Sequence, residues 1–216
     1  MVTIPALINK WQEKALVSQL KSTYSILARA QIQAVAENGP ADTWDIGTHD
    51  TAAGGTKLYN YFKPYLKITK YCGTGTGCFA THYSALFNKD FAFQPDAQTS
   101  WFGGKAILAN GASIFFYSPG TNCARAADNS ISCGAIRVDV NGKNGPNKVG
   151  VDFFELQMTP NVVMPKSSAY YKGLSTKDGQ TCQYKNTSKS NGEMCSGYVL
   201  KYGNMDYLRR DVSGDD

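Results

Sequence analysis

Six cysteines, two histidines and one loop rich in acids and amides are the residues here whose types and spacing could do chemistry. The cysteines fall as three successive pairs: Cys72 and Cys78, Cys123 and Cys133, Cys182 and Cys195. Each pair brackets a short stretch rich in Gly, Ser, Asn or Thr, which leaves the backbone free to bring two sulfurs together. About fifteen pairings can be written, and the sequential one is expected because it closes the shortest loops. The chemistry implied is disulfide formation in an oxidising compartment. Six reduced thiols in a cytosolic core are the alternative, but these cysteines sit among turn residues rather than in apolar runs.

The polar loop runs from Asp139 to Asp152. Asp139, Asn141, Asn147 and Asp152 carry oxygen among glycines that let the chain fold inward, which suits a hard cation such as calcium. Lys143 stands where a calcium loop carries its second carboxylate, and no glutamate closes the loop. The competing reading is a tight connection between two strands, built on Asx turns and glycines. Cys72-x5-Cys78-x3-His82 lacks the spacing of a zinc knuckle and has no fourth ligand nearby. Neither His49 nor His82 lies in a nucleophile motif, and Gly-x-Ser-x-Gly, Walker A and His-Glu-x-x-His are absent. No catalytic residue and no enzyme activity are expected.

These residues need elements to position them. Ala6 to Glu37 reads as one helix of about 32 residues, or about 48 Å. Pro5 suits its first turn, and Asn38-Gly39-Pro40 supplies the stop. Leu16, Leu20, Tyr24, Leu27, Ala30 and Ala34 form one apolar stripe. Pro5 to Ile8 with Trp11 make the first turns apolar around much of their circumference. That suits a helix continuing upstream into lipid with Trp11 near the interface, against the alternative of a helix capped by its own core.

Beyond Pro40 a short helix is expected over Thr56 to Leu66. A hairpin follows, with Asn110-Gly111 between Ala106–Leu108 and Ala112–Tyr117. Further strands are expected at Ala135–Val140, Val151–Met158 and Gly197–Tyr202. A long helix followed by meandering strands gives an α+β fold, with the helix packed on an antiparallel sheet and disulfide-stapled loops. One domain is expected over residues 1–216, with the helix at 1–39 and the head at 40–216. The 42% apolar and 18% charged fractions exclude wholesale disorder. A net charge of +5 without a run of like charges gives little reason to expect nucleic acid. The aromatic and lysine-rich stretch Tyr59 to Tyr71 reads as a helix with a buried aromatic face.

At several places the sequence resembles a known family. Thr3-Ile4-Pro5-Ala6-Leu7-Ile8 with Trp11-Gln12-Glu13-Lys14 looks like the segment that follows the hydrophobic half of a type IV prepilin helix. Val138-Asp139-Val140-Asn141-Gly142, Gly145-Pro146-Asn147, Gly150-Val151-Asp152 and Gly203-Asn204-Met205-Asp206-Tyr207-Leu208 resemble pilin-like type II secretion system proteins of gut bacteria. Tyr65-Leu66-Lys67 running to Cys72, and Leu108-Ala109-Asn110-Gly111-Ala112-Ser113, fit the same pattern.

The resemblance implies a pilus or pseudopilus subunit whose partners are other subunits, met through the N-terminal helix, and the inner-membrane assembly machinery. It also implies export by way of an inner-membrane anchor to a periplasmic or cell-surface filament. The leader and first helix half that the family carries are not in this sequence, so membrane anchoring is expected only through that missing segment. Calcium ligands of related pseudopilins carry over onto Asp139, Asn141, Asn147 and Asp152. The alternative is a minor pilin or a secreted adhesin, gripping a glycan or host protein through Tyr170, Tyr171, Tyr184 and Tyr202.

Overall fold

The computed structural model describes residues 4–48, 50–97, 101–118, 120, 123–125, 131–166 and 181–212. Helix α1 spans Ile4–Asn38, 35 residues and about 52 Å. It ends where expected. Gly39 takes φ +76°, and its N–H bonds the Val35 carbonyl at 2.9 Å, a left-handed cap that a side chain would strain. The expected stripe is the buried one. Leu16, Leu20, Leu27, Ala30 and Ala34 are at most 9% exposed and Tyr24 packs half-buried against them.

Helix α2 spans Ala52–Phe62 and runs into a 3-10 turn at Lys63–Tyr65. It begins four residues before the Thr56 start expected from sequence, because Thr51 caps it: the Thr51 hydroxyl accepts from the Gly54 N–H at 3.0 Å. Gly54 and Gly55 look like helix breakers, yet they are what lets α2 touch the sheet. A Cβ on Gly55 would lie 2.4 Å from the Phe116 carbonyl, and one on Gly103 would lie 1.9 Å from the Ala52 carbonyl.

Among the described residues eight strands follow: β1 (Ile68–Gly73), β2 (Gly103–Leu108), β3 (Ser113–Tyr117), β4 (Ala124–Arg125), β5 (Ile131–Ser132), β6 (Gly134–Asp139), β7 (Phe153–Met158) and β8 (Val163–Pro165). Six of them form one antiparallel sheet in the order β1-β2-β3-β6-β7-β8, and β4 pairs only with β5. The β2–β3 hairpin turns at Asn110-Gly111, with Gly111 at φ +87°. The Asn110 side-chain amide donates to the Thr23 hydroxyl at 2.9 Å, so the turn also grips α1. The fold is therefore α+β with a long N-terminal helix on an antiparallel sheet.

One expected element differs. Gly197–Tyr202 is not a strand but part of α3, Cys195–Tyr202, closed by Gly203 at φ +70°. The alternation of Tyr198, Leu200 and Tyr202 imitates a strand. The buried set Cys195, Ser196 and Val199 follows helical spacing, and Tyr198 stacks on Tyr202 one turn on.

The sheet is covered on both faces. On one lie α1, α2 and α3 with Leu58, Phe62, Ile114, Phe116, Ile136, Val138, Phe154 and Leu156. On the other, the irregular segment between β1 and β2 lays Phe79, Tyr83 and Phe91 over Phe115 and Phe153. Polar residues that alternate along β6 and β7 are consequently buried rather than solvated. The three disulfides are Cys72–Cys78, Cys123–Cys133 and Cys182–Cys195, the sequential pairing. They fit an extracellular protein. Among the described residues no helix is long and apolar enough to cross a membrane.

Candidate assembly surface and cation loop

Helix α1 changes character along its length. From Leu16 onward its stripe is buried, while Lys10, Trp11, Gln12, Lys14 and Ala15 are exposed. Trp11 is 70% exposed. The head touches this stretch at Glu13, whose carboxylate accepts from the Met205 N–H at 2.8 Å and from Arg209 at 2.8 and 3.1 Å. Partial burial pushes the Glu13 carboxyl up, but the Arg209 hydrogen bond and the Met205 N–H together hold it below its ordinary value. The clamp fastens the C-terminal segment to the helix 192 residues earlier in the chain.

The loop from Asp139 to Asp152 is drawn into a knot at the end of β6 and β7. The Val140 N–H bonds the Asp152 carbonyl at 2.8 Å. The Asp152 carboxylate accepts from the Asn147 and Lys148 N–H groups at 2.7 and 2.6 Å, and Asn147 takes φ +52°. The Asp139 carboxylate accepts from the Asn141 N–H at 3.2 Å and from the Tyr83 hydroxyl at 2.5 Å. The Asn141 side-chain amide donates to the Gly145 carbonyl. All four sequence-singled residues thus belong to one structure. The turn-building role expected as the competing reading is present, with both aspartates organising backbone N–H groups.

The electrostatics of the knot are unusual. Both aspartates are fully buried. Burial, and then the neighbouring Asp152 carboxylate, push Asp139 up to about 8. Burial raises Asp152 to about 6 against the pull of the Lys148 and Asn147 N–H groups. Burial, then Asp139, drive the Tyr83 phenol far above its ordinary value, so Tyr83 keeps its proton and donates it. The side-chain carbonyl oxygens of Asn141 and Asn147 are buried and have no hydrogen-bond partner. Buried acceptors of this kind carry a desolvation cost that a cation or a water would relieve. Two carboxylates and two amide oxygens are a donor set suited to a hard cation. Among the described residues no group of three or more His, Cys, Asp or Glu side chains is placed to hold a metal.

Sequence reasoning missed a second buried cluster. Arg137 and Glu155 are direct cross-strand partners on β6 and β7. The Arg137 Nε donates to Glu155 at 2.8 Å and its Nη2 to Glu193 at 2.6 Å, while Lys166 donates to the other Glu155 oxygen at 2.5 Å. The guanidinium lies 5.1 Å from the Phe93 ring centroid and 5.7 Å from that of Phe91. Burial alone would lower the Arg137 pKa, but Glu155 and Glu193 outweigh it and hold the group charged. The available signal was opposite charges, Arg137 and Glu155, each flanked by apolar residues in two neighbouring strands.

Of the four tyrosines weighed for adhesion, Tyr184 packs edge-on against Phe87, and Tyr202 is 36% exposed beside Tyr198. Tyr170 and Tyr171 lie outside the described residues, as does His49. His82 is exposed with its Nε2 3.0 Å from the Lys89 carbonyl.

The model of a family of unknown function, DUF6613, matches residues 6–201, and the chain belongs to that family. No curated protein and no solved structure matches the chain.

Proposed function

We propose that this DUF6613 member is a non-catalytic structural subunit of an extracytoplasmic filament of the type IV pilus or type II secretion pseudopilus kind. The observation that carries the reading is the two-part character of α1. Its C-terminal two-thirds bury a continuous stripe against the sheet, whereas its N-terminal turns present Trp11 to solvent. Trp11 stands largely exposed on a stretch of the helix that the head holds through the Glu13 clamp, so most of its apolar surface is left uncovered by this chain. This is the arrangement expected of a helix whose N-terminal part is covered by something else. The disulfides agree with a working place outside the cytosol. Shearing source cells should release the protein in a form that sediments with surface filaments. Recovery only as a freely diffusing protein or in the cytosolic fraction would defeat the reading.

Within this proposal the Asp139–Asp152 loop holds a divalent cation, calcium by its donor chemistry, through Asp139, Asn141, Asn147 and Asp152. Bound there, the ion would neutralise two buried carboxylates and satisfy amide oxygens that otherwise lack partners. Saturation at a hundredfold excess over Kd stabilises by about 2.7 kcal/mol. For a chain of this size that is a rise in Tm of about 5–10 °C.

The pH dependence has a definite sign. With both carboxyls raised, the folded state keeps protons that the unfolded chain has released. Stability in EGTA therefore falls as pH rises from about 4, through about 6 for Asp152, to about 8 for Asp139. Calcium should remove that fall, and Asp139→Asn should flatten it. Thermal melts with EGTA or millimolar calcium across this range decide the matter. An unchanged Tm, with no heat in a calcium titration, removes the cation and leaves the turn-building role alone.

A further inference from the structure

An asparagine followed by glycine can modify itself, because glycine has no Cβ to keep its backbone nitrogen away from the preceding carboxamide. The pair occurs here at Asn38, Asn110, Asn141, Asn144 and Asn191. The fold treats these sites differently. After all of them but Asn144, the glycine N–H is already bonded to a carbonyl. Gly39 donates to Val35 at 2.9 Å, Gly111 to Leu108 at 2.9 Å, Gly142 to Asp139 at 3.4 Å and Gly192 to Thr181 at 2.7 Å. Gly142, the longest of these, is buried. The Asn191 carboxamide is fully buried, accepting from the Gln183 N–H and donating to the Gln183 carbonyl. That of Asn110 is held by Thr23 and that of Asn38 by the Ala34 carbonyl.

Asn144 stands apart. Among the described residues the Gly145 N–H makes no hydrogen bond, and residues 143–146 are all exposed. The Asn144 carboxamide makes a single contact, its Nδ2 donating to the Asn141 carbonyl at 2.9 Å. Nucleophile, electrophile and water therefore meet at this site without any opening of the fold.

We propose that Asn144 is a self-modification site, at which the folded protein converts its own amide into a carboxylate. The Gly145 nitrogen gives up its proton to water and bonds to the Asn144 Cγ. The Cγ–Nδ2 bond breaks, ammonia leaves with the proton returned, and a cyclic imide remains. Water then adds to either imide carbonyl and reopens the ring as aspartate or its β-linked isomer. One ammonia is lost and one water gained, with no oxidant or reductant. The step depends on neither the filament nor the cation reading.

Its consequence falls on the Asp139–Asp152 loop. A carboxylate accepts hydrogen bonds and cannot donate one, so the contact with the Asn141 carbonyl becomes an oxygen–oxygen repulsion. The turn beside Asn141 opens, and a new negative charge joins a loop that already holds Asp139 and Asp152. The β-linked product also lengthens the main chain between Asn141 and Asn147. The loop thus has a young form and an aged form, the second accumulating in molecules that persist.

Peptide mapping of the folded, disulfide-intact chain, incubated at physiological pH and temperature and digested with trypsin at intervals, tests the site. Cleavage after Arg137, Lys143 and Lys148 puts Asn141 and Asn144 in separate peptides. The peptide 144–148 should gain the mass difference between water and ammonia and split into two isomers. The other Asn-Gly sites should convert at least about tenfold more slowly, the factor imposed by about 1.4 kcal/mol of local opening. In the reduced, denatured chain that protection should vanish. A Cβ at position 145 meets nothing closer than the Asn147 amide at 4.0 Å, so Gly145→Ala should fold normally and slow conversion at Asn144 about tenfold or more. In NMR spectra Asn144→Asp should move the Asn141 amide signal and leave those of Leu27 to Ala34 in place. An amide retained at Asn144 while another site converts, equal rates at all sites in the folded chain, or an unslowed Gly145→Ala would overturn the site. An unmoved Asn141 signal would overturn its effect on the loop.

Discussion

Reduction of the three disulfides is expected to bring the folded chain close to its unfolding midpoint at room temperature. The bonds span 6, 10 and 13 residues. In the chain-entropy account each loop of that size stabilises by roughly 2–3 kcal/mol. Together they contribute about 7 kcal/mol, against total stabilities of roughly 5–15 kcal/mol for whole domains. Their placement makes the loss hard to absorb. Cys72–Cys78 ties edge strand β1 to the segment covering the back of the sheet, and Cys195 is the first residue of α3. Cys133 is buried between β5 and β6. A melt in reductant, with thiol counting to verify full reduction, should show a large drop in Tm or no transition at all. A fully reduced chain with an unchanged Tm would contradict the account of what holds the loops.

The second large effect is expected at Arg137. Arg137→Ala leaves Glu155 with Lys166 alone and strips Glu193 of a 2.6 Å partner, both glutamates being buried. Removing one member of a buried ion network costs about 3–5 kcal/mol, because charge is left without compensation. For a domain of this size the Tm should fall by about 10–15 °C. The variant also carries a diagnostic sign. In the intact protein burial pushes Glu155 up, but Arg137 and then Lys166 overrule it and hold the carboxyl below its ordinary value. That contribution is present above the unfolded carboxyl pKa and lost as pH falls through the folded one. Without Arg137 burial dominates and the sign reverses, so Arg137→Ala should regain stability on acidification from pH 7 to 5. Chemical denaturation at the two pH values decides it. A loss below about 1 kcal/mol, the level of a surface pair, would mean the network is hydrated rather than buried.

Long-range order in this fold was legible where local chemistry and global packing agree. The stripe from Leu16 to Ala34, the Gly39 cap and the Asn110-Gly111 turn each say one thing at both levels, and each stands where the sequence puts it. The cysteines were legible for the same reason, since sequential pairing is also the pairing of shortest loops. Failures came where two periods coexist. Tyr198, Leu200 and Tyr202 alternate like a strand, but burial of Cys195, Ser196 and Val199 against the sheet decides for a helix. The expected helix start at Thr56 left out Gly54 and Gly55, because the close approach of Gly103 that makes glycines necessary there comes from distant sequence. The cover over the second face of the sheet left no local signal. Nothing in Arg137, Glu155 or Asp139 alone distinguishes a solvated polar face from one buried beneath Phe79, Tyr83 and Phe91. In the loop from Asp139 to Asp152 the aspartates and asparagines were legible as oxygen donors. Tyr83, which donates to Asp139 from 56 residues away, was not.

The most direct measurement is electron cryomicroscopy of filaments sheared from source cells, with antibody against residues 40–216 to identify the subunit. The account predicts labelled filaments whose core is a bundle of α1 helices continuous with outward heads, each showing the six-stranded sheet behind its helix. Absence of this chain from every filament in the preparation, with all of it recovered as separate molecules, would contradict the account.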